Sequence, residues 1–139
     1  MDDGLYLHRA IELSNIAQGG KNYRVGAVIL DKTQHIIGQG YSWEKGVGTH
    51  AEENAFLEIP KGMANGGTIY CSMAPCTFRS SGKETCIQRI QREGIVRVVF
   101  ATFAPDEPQE MPTVEGIEFV HLKDFQLFAR LANPHLFQV

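Results

Sequence analysis

The chain has 139 residues, of which 43% are hydrophobic, enough for the core of one domain. The formal net charge of −3 argues against a general nucleic-acid binder, which usually carries a basic face. No apolar run approaches the ~20 residues of a membrane-spanning helix, and no secretory apolar segment follows the first residue. We therefore expect a single cytoplasmic domain over residues 1–139, with its three cysteines reduced.

Hydrophobic periodicity and turn residues divide the chain into alternating helices and strands. The first helix places Leu5, Ile11 and Ile16 at helical spacing, with Leu7, Ala10, Leu13 and Ala17 beside them, and is stopped by Gly19 and Gly20. In chain order, the pattern predicts helices over 3–18, 49–59, 85–93 and 122–132, and strands over 25–30, 35–41, 68–72, 95–102 and 117–121.

The order of these elements predicts an α/β fold, a three-layer α/β/α sandwich around a five-stranded mixed sheet. The first two strands are joined by a short turn and should pair as an antiparallel hairpin. The later strands are joined through helices, and crossover connections of this kind make neighbouring strands parallel. Helices on both faces then cover the sheet.

Two short motifs contain the residue types of a zinc site. His50 opens the run His-Ala-Glu, Cys76 follows Pro75, and Cys86 closes the loop that begins at Cys76. Structural zinc usually takes four protein ligands, whereas catalytic zinc takes three and leaves one position open for water. One imidazole and two thiols therefore predict a catalytic Zn²⁺, with the Glu52 carboxylate two residues from the imidazole.

Glu52 is the predicted general acid and base. Zinc lowers the pKa of water toward about 7, which prepares it to attack a ring carbon that bears an amino group. Glu52 would take the proton of the water and pass it to the ring nitrogen and then to the leaving amine. We also expect His50 and Cys76 to lie at helix starts, since Cys76 follows Pro75 just after a predicted strand; a helix N-terminus there would lower the pKa of the thiol.

The two motifs in this order resemble the cytidine-deaminase-like superfamily over nearly the whole chain. Most members have two residues between the cysteines, whereas nine separate them here. A long interval is typical of the deaminases of riboflavin biosynthesis. The run Pro75-Cys76-Thr77-Phe78-Arg79-Ser80-Ser81-Gly82-Lys83-Glu84-Thr85-Cys86 is similar to the fungal type, as is the approach to the histidine over residues 40–52.

This resemblance implies a stand-alone deaminase that acts on a 2,5-diamino-6-(ribosyl or ribityl)amino-4(3H)-pyrimidinone 5′-phosphate. The enzyme would replace the 2-amino group by oxygen and release ammonia. A homodimer is implied by analogy with the superfamily. The substrate contacts implied by the resemblance or by position are Asn22, Ser42, Glu44, Ala51, Arg79 and Lys83.

Several alternatives remain open. Arg79 and Lys83 could bind the substrate phosphate, Arg79 as a bidentate fork, or be solvated loop charges. Asn22 could form a turn, Ser42 and Glu44 could only support their loop, and Trp43 could stack on the substrate ring or pack. Cys71 is an apolar strand residue or the fourth ligand of a structural zinc site, and the second reading leaves Glu52 without a role. The whole chain could deaminate another nucleobase, nucleoside or nucleotide, of the cytosine, guanine or dCMP type. It could also be a zinc-stabilised interaction module or an inactive homologue.

Overall fold

The structure is a computed structural model that describes residues 2–17 and 22–137. The predicted helix stop at Gly19 and Gly20 lies outside these residues. In chain order the elements are α1 (Asp3–Ile16), β1 (Gly26–Leu30), β2 (Ile36–Tyr41), α2 (Ala51–Phe56), β3 (Thr68–Met73), α3 (Cys86–Arg92), β4 (Arg97–Thr102), β5 (Glu118–His121), a 3₁₀ turn (Lys123–Phe125) and α4 (Gln126–Leu131).

The five strands form one mixed sheet in the order β2-β1-β3-β4-β5. β1 is antiparallel to both β2 and β3, whereas β3, β4 and β5 are parallel. The predicted hairpin and mixed sheet are therefore confirmed. Since β1 runs opposite to its neighbours, its amino end lies at the same edge as the carboxyl ends of β2, β3 and β4. The connections at this edge come from four separate parts of the chain.

Helices cover both faces of the sheet, which confirms the three-layer arrangement. Alternate residues of a strand point to opposite faces, so Ala27 and Ile29 pack on one side while Val28 and Leu30 pack on the other. The first face is closed by α2 and α3, and the second by α1 and α4. Members of the two buried clusters include Ala55, Phe56, Ile69, Ile90 and Phe100 on the first face and Leu7, Ala10, Tyr70, Val99 and Ala129 on the second.

Two predicted helices differ in detail from the observed ones. On α1, Leu5 and Ile16 are exposed, because the stripe that contacts the sheet is centred on the residues predicted beside them, Leu7, Ala10 and Leu13. The predicted helix 122–132 begins with the 3₁₀ turn, and only Ala129 of α4 is buried. The residues of the actual α1 stripe are Leu7, Ala10, Ile11, Leu13 and Ser14, and the exposed apolar residues of α4 are Leu127, Phe128 and Leu131.

A glycine in β2 allows α2 to lie directly on the sheet. A Cβ at Gly40 would come within 2.6 Å of both the Ala51 carbonyl oxygen and the Ala55 nitrogen. Because both of these atoms belong to the backbone, no side-chain rotation could relieve the clash. Gly40 therefore sets the distance of the start of α2 from the sheet, and with it the position of His50 and Glu52. No helix among the described residues is long and apolar enough to cross a membrane.

Candidate active site

A cavity of about 200 Å³ opens at the edge where the four connections meet. The connections that line it precede β1 and follow β2, β3 and β4. The lining residues are Asn22, Tyr23, Val25, Ser42, Trp43, Gly48, Thr49, His50, Ala51, Glu52, Met73, Ala74, Cys76, Ala104 and Glu107.

The predicted zinc ligands come together at this cavity. The Nδ1 atom of His50 lies 3.3 Å from the Cys86 sulfur and 3.6 Å from the Cys76 sulfur. All three donor atoms lie within 4.8 Å of one another. Tetrahedral zinc bonds of about 2.0 Å to nitrogen and 2.3 Å to sulfur require nitrogen–sulfur separations of roughly 3.6 Å. The donor set therefore fits zinc in both chemistry and spacing.

Helix starts position two of these ligands. His50 is the N-cap residue of α2, and its backbone N–H donates to Glu53 Oε1 at 2.6 Å. Cys86 is the first residue of α3, where Thr85 forms a capping box with Gln88. His50 thus belongs to the connection that follows β2, whereas both cysteines belong to the connection that follows β3.

The prediction that Cys76 begins a helix is wrong. The segment after β3 first bonds to β4, through the Ala74 N–H and the Thr102 carbonyl at 2.8 Å, and then remains irregular up to Thr85. The Cys76 sulfur instead accepts a hydrogen bond from the Cys86 N–H at 3.2 Å. Cys86 therefore occupies the start of α3, and Cys76 contacts that helix end only through the hydrogen bond from the Cys86 N–H.

Hydrogen bonding shifts the pKa values of the two thiols in opposite directions. The hydrogen bond from the Cys86 side chain lowers the pKa of Cys76 to about 4, with His50 and the Cys86 N–H acting in the same direction. The same bond to Cys76, together with burial, raises the pKa of Cys86. The hydrogen bond to Cys76 also raises the pKa of His50. Cys76 is thus ready to bind a cation as a thiolate, and a bound cation would deprotonate Cys86 as well.

Glu52 lies in the first turn of α2 and only 3% of its surface is exposed. Burial raises its pKa to about 7; the Cys76 thiolate adds to this rise and His50 opposes it. A bound cation would favour the carboxylate again. A buried carboxyl group that titrates near neutral pH beside a metal site has the properties of a general acid and base.

The structure brings three of the six predicted substrate contacts to the cavity and not the other three. Asn22, Ser42 and Ala51 line it. The Ser42 hydroxyl accepts a hydrogen bond from the Val25 N–H at 2.9 Å, which joins two of the lining connections. The remaining three are Glu44, whose Oε1 accepts from the Tyr41 N–H at 3.3 Å, Arg79, which contacts Glu53, and the exposed Lys83.

Some lining residues were not predicted from the sequence. Tyr23 reaches the cavity, and its hydroxyl donates to Asp106. Glu107 belongs to the long loop between β4 and β5; it is half-buried at the cavity, and burial raises the pKa of its carboxyl group. The parallel pairing of β3 and β4 was the available signal, because connections at the carboxyl ends of parallel strands form ligand sites.

Trp43 and Cys71 had open interpretations. Trp43 lines the cavity, the position that stacking on a substrate ring would require. Cys71 is fully buried in β3, as expected for an apolar strand residue. Among the described residues the donor group consists of His50, Cys76 and Cys86 without Cys71.

Comparison with known proteins identifies the family. The cytidine and deoxycytidylate deaminase zinc-binding region matches residues 1–102. A protein of Buchnera aphidicola (subspecies Acyrthosiphon pisum), named diaminohydroxyphosphoribosylamino-pyrimidine deaminase, is 35% identical over 126 residues, which cover 88% of this chain and 79% of the relative.

Solved structures agree with the sequence relatives. Acinetobacter baumannii RibD superposes with a TM-score of 0.79 at 25% identity, over 96% of this chain and 38% of the other. The Aspergillus oryzae Rib2 deaminase in complex with DARIPP superposes with a TM-score of 0.70 at 24% identity, over 86% and 83% of the two chains. The second match supports the fold alone.

These matches confirm the predicted fold, the deaminase activity and the zinc cofactor. The chain spans most of the Buchnera relative but little more than a third of the Acinetobacter RibD chain. Its family membership rests on the zinc-binding region, which contains the donors His50, Cys76 and Cys86 and the carboxyl group of Glu52. The chain belongs to the cytidine and deoxycytidylate deaminase family of zinc-dependent hydrolytic deaminases.

Proposed function

We propose that this chain is the diaminopyrimidine deaminase of riboflavin biosynthesis. Its substrate would be 2,5-diamino-6-(ribosyl or ribityl)amino-4(3H)-pyrimidinone 5′-phosphate, and its products ammonia and the corresponding dione. The observation that carries the chemistry is the buried carboxyl group of Glu52 beside the three donors His50, Cys76 and Cys86. The name of the Buchnera relative supports the choice of substrate.

The residues divide the reaction between them. His50, Cys76 and Cys86 would hold the zinc, which would supply an activated water at neutral pH. Glu52 would pass one proton of the attacking water to the ring nitrogen and then a second proton, from the hydroxyl group added to the ring carbon, to the amino group that leaves as ammonia. Ala51 lines the cavity, and we propose that it contacts the ring of the substrate.

The charge around the cavity constrains how the substrate would lie. None of the described lining residues is Lys or Arg, and two of them, Glu52 and Glu107, are acidic. A doubly charged phosphate is therefore better placed at the mouth than inside. We propose that the pyrimidine enters the cavity beside Asn22 and Ser42, while the exposed Lys83 remains the candidate to meet the phosphate outside it.

Ammonia release by the zinc-loaded protein tests this function. Purified protein should release one ammonia per molecule of either the ribosyl or the ribityl substrate, and the faster of the two identifies the physiological sugar. Cytosine, guanine and dCMP serve as matched controls. They should react at least ~10²-fold more slowly in kcat/KM, because a site that hydrogen-bonds the polar groups of the diaminopyrimidine rejects compounds that lack them.

Other outcomes select the alternatives. Faster turnover of dCMP or a free base would assign the chain to another deaminase of the same family. Zinc-loaded protein that deaminates none of these compounds would favour the inactive homologue. The homodimer and the cytoplasmic location stay predictions; sedimentation equilibrium of the purified chain tests the first, and localisation of the tagged protein in its cell tests the second.

A further inference from the structure

The side chain of Arg79 lies in the interval between the two cysteines, but it does not point to the cavity. Only 9% of this side chain is exposed. Its guanidinium donates to Glu53 Oε1 at 2.9 Å, to the Gly48 carbonyl at 3.3 Å and to the Glu84 carbonyl at 3.2 Å. Arg79 therefore binds three different segments of the protein.

One carboxylate oxygen connects Arg79 to a zinc donor. Glu53 Oε1 accepts the guanidinium of Arg79 and also the backbone N–H of His50 at 2.6 Å. The hydrogen bonds from the His50 N–H and from Arg79 hold the pKa of Glu53 below its usual value against the opposing effect of burial. Glu53 is therefore a charged carboxylate that connects the His50 backbone to Arg79 in the cysteine interval.

The length of the cysteine interval explains why such a connection is needed. Nine residues without regular structure separate Cys76 from Cys86, and an unrestrained loop of that length leaves its ends many relative positions. The bond from the Cys86 N–H to the Cys76 sulfur fixes the two cysteines relative to each other. It does not fix them relative to His50, which arrives from another connection of the sheet.

We propose that Arg79 and Glu53 form a clasp that holds the cysteine interval against the start of α2 and so sets the spacing of the three zinc donors. Arg79 is then a positioning residue for the metal site and not a ligand of the substrate phosphate. Because its guanidinium already donates to Glu53 and to two backbone carbonyls, and little of the side chain is exposed, Arg79 offers a phosphate little access. The inference rests on the zinc site of the proposed function, but not on the identity of its substrate.

Zinc affinity of the holoprotein tests the clasp directly. We expect Arg79→Met and Glu53→Gln each to weaken zinc binding about 10- to 100-fold in a chelator competition, the usual effect of removing a group that orients a metal ligand. Arg79→Lys keeps the charge and one hydrogen bond and should lose less. The double variant should be little weaker than the worse single variant, because both changes break one connection.

Arg92→Met is the matched control. Arg92 pairs with the Glu84 carboxylate at 2.8 and 3.0 Å near the same end of the loop, but it makes no described contact with α2. Its removal should leave zinc affinity unchanged. Circular dichroism melting of each metal-free variant shows whether a loss of affinity reflects unfolding; if Arg79→Met does not fold, Arg79→Lys and Glu53→Gln still decide the question.

The two roles of Arg79 predict different kinetics. A positioning role predicts that Arg79→Met protein, once saturated with zinc, keeps the wild-type KM for the phosphorylated substrate within about twofold. Wild-type zinc affinity in both Arg79→Met and Glu53→Gln would overturn the clasp, and so would a raised KM with unchanged zinc affinity. Zinc affinity is measured without substrate, so the test of the clasp remains valid even if the proposed substrate is wrong.

Discussion

Two polar clusters lie at opposite edges of the sheet, and their charged groups have different roles. In the Asp3 cluster, Arg97 donates two hydrogen bonds of 2.6 Å to the Asp3 carboxylate, which also accepts from the hydroxyl of buried Tyr70, and Glu118 binds Arg97 at 3.0 Å. In the zinc site, His50 and the two thiols lie within hydrogen-bonding distance of one another beside buried Glu52.

The pKa values of the two carboxyl groups move in opposite directions. Hydrogen bonding to Arg97 lowers the pKa of Asp3, whereas burial raises that of Glu52 to about 7. A carboxylate with a fixed cationic partner keeps its charge and stabilises the fold. A buried carboxyl group without one exchanges its proton near neutral pH, which is useful for catalysis. The comparison predicts that changes at one cluster affect stability and changes at the other affect activity.

The largest effect is expected for Glu52→Gln. This change removes the group that moves protons, so kcat should fall by about 10²- to 10⁴-fold. Zinc content, measured by atomic absorption, should stay the same because Glu52 is not among the three donors. Melting of the variant should show no loss of stability, since a buried acid has been replaced by a neutral group of equal size. Retained activity would remove Glu52 from the mechanism.

Removal of zinc should have the next largest effect. Zinc at 100 times its Kd stabilises the folded chain by about 2.7 kcal/mol if the unfolded chain does not bind it. Chelation should therefore lower the melting temperature of the wild type. Cys86→Ser should lose the zinc-dependent part of the stability, while Asp3→Asn should keep it. A melting temperature that does not respond to zinc in the wild type would contradict the site.

Asp3→Asn should reduce stability without changing kcat. We expect a loss of about 1–2 kcal/mol in the free energy of unfolding at pH 7, because the Arg97 ion pair is broken and an amide NH2 replaces one of the two oxygens that accept from Arg97. The folded pKa of Asp3 lies below the unfolded value of 3.8. Its contribution is therefore present above pH 3.8 and disappears as the pH falls through the folded pKa.

Urea unfolding at several pH values checks this behaviour. The difference between wild type and Asp3→Asn should be constant around neutral pH and shrink in acid. Glu118→Gln is a suitable control, because Glu118 is exposed and its pairing with Arg97 should contribute less. A loss that stays constant down to the lowest pH would mean that the carboxylate charge is not its cause.

The smallest effect is expected for Cys71→Ala. Cys71 is completely buried, so the lost packing should cost about 1 kcal/mol of stability. The variant should still bind one zinc ion with wild-type affinity, because Cys71 lies outside the donor group. Weaker zinc binding in this variant would instead support the four-ligand structural site.

Local patterns in the sequence were sufficient for the strands, the mixed sheet and the zinc donors. The donors were predictable because two motifs that are weak alone, those of His50 and Cys76, occur together, each just after a predicted strand. The α1 face was less predictable, since Leu5 and Ile16 are apolar but lie outside the stripe that contacts the sheet. An apolar residue on a helix shows which side is buried only when the partner surface is known.

Contacts between distant segments could not be predicted. Arg79 was interpreted from its charge as a phosphate ligand, but Glu53, which lies 26 positions earlier, occupies its guanidinium. The helix start was assigned to Cys76 because of Pro75, although the capping residue Thr85 stands next to Cys86. Glu107 reaches the cavity only because β4 lies parallel beside β3. In each case the sequence did not show which distant segments lie next to each other in the folded protein.

The direction of β1 has a consequence for how this enzyme can change during evolution. Of the four connections at the cavity, those that follow β2 and β3 contain every zinc donor. The connections before β1 and after β4 supply Tyr23, Ala104 and Glu107 to the cavity, and none of their described residues belongs to the donor group. Insertions and substitutions in these two connections can therefore alter which ring or sugar is accepted while the metal chemistry is preserved. One scaffold of this kind can acquire new substrates without rebuilding its reaction.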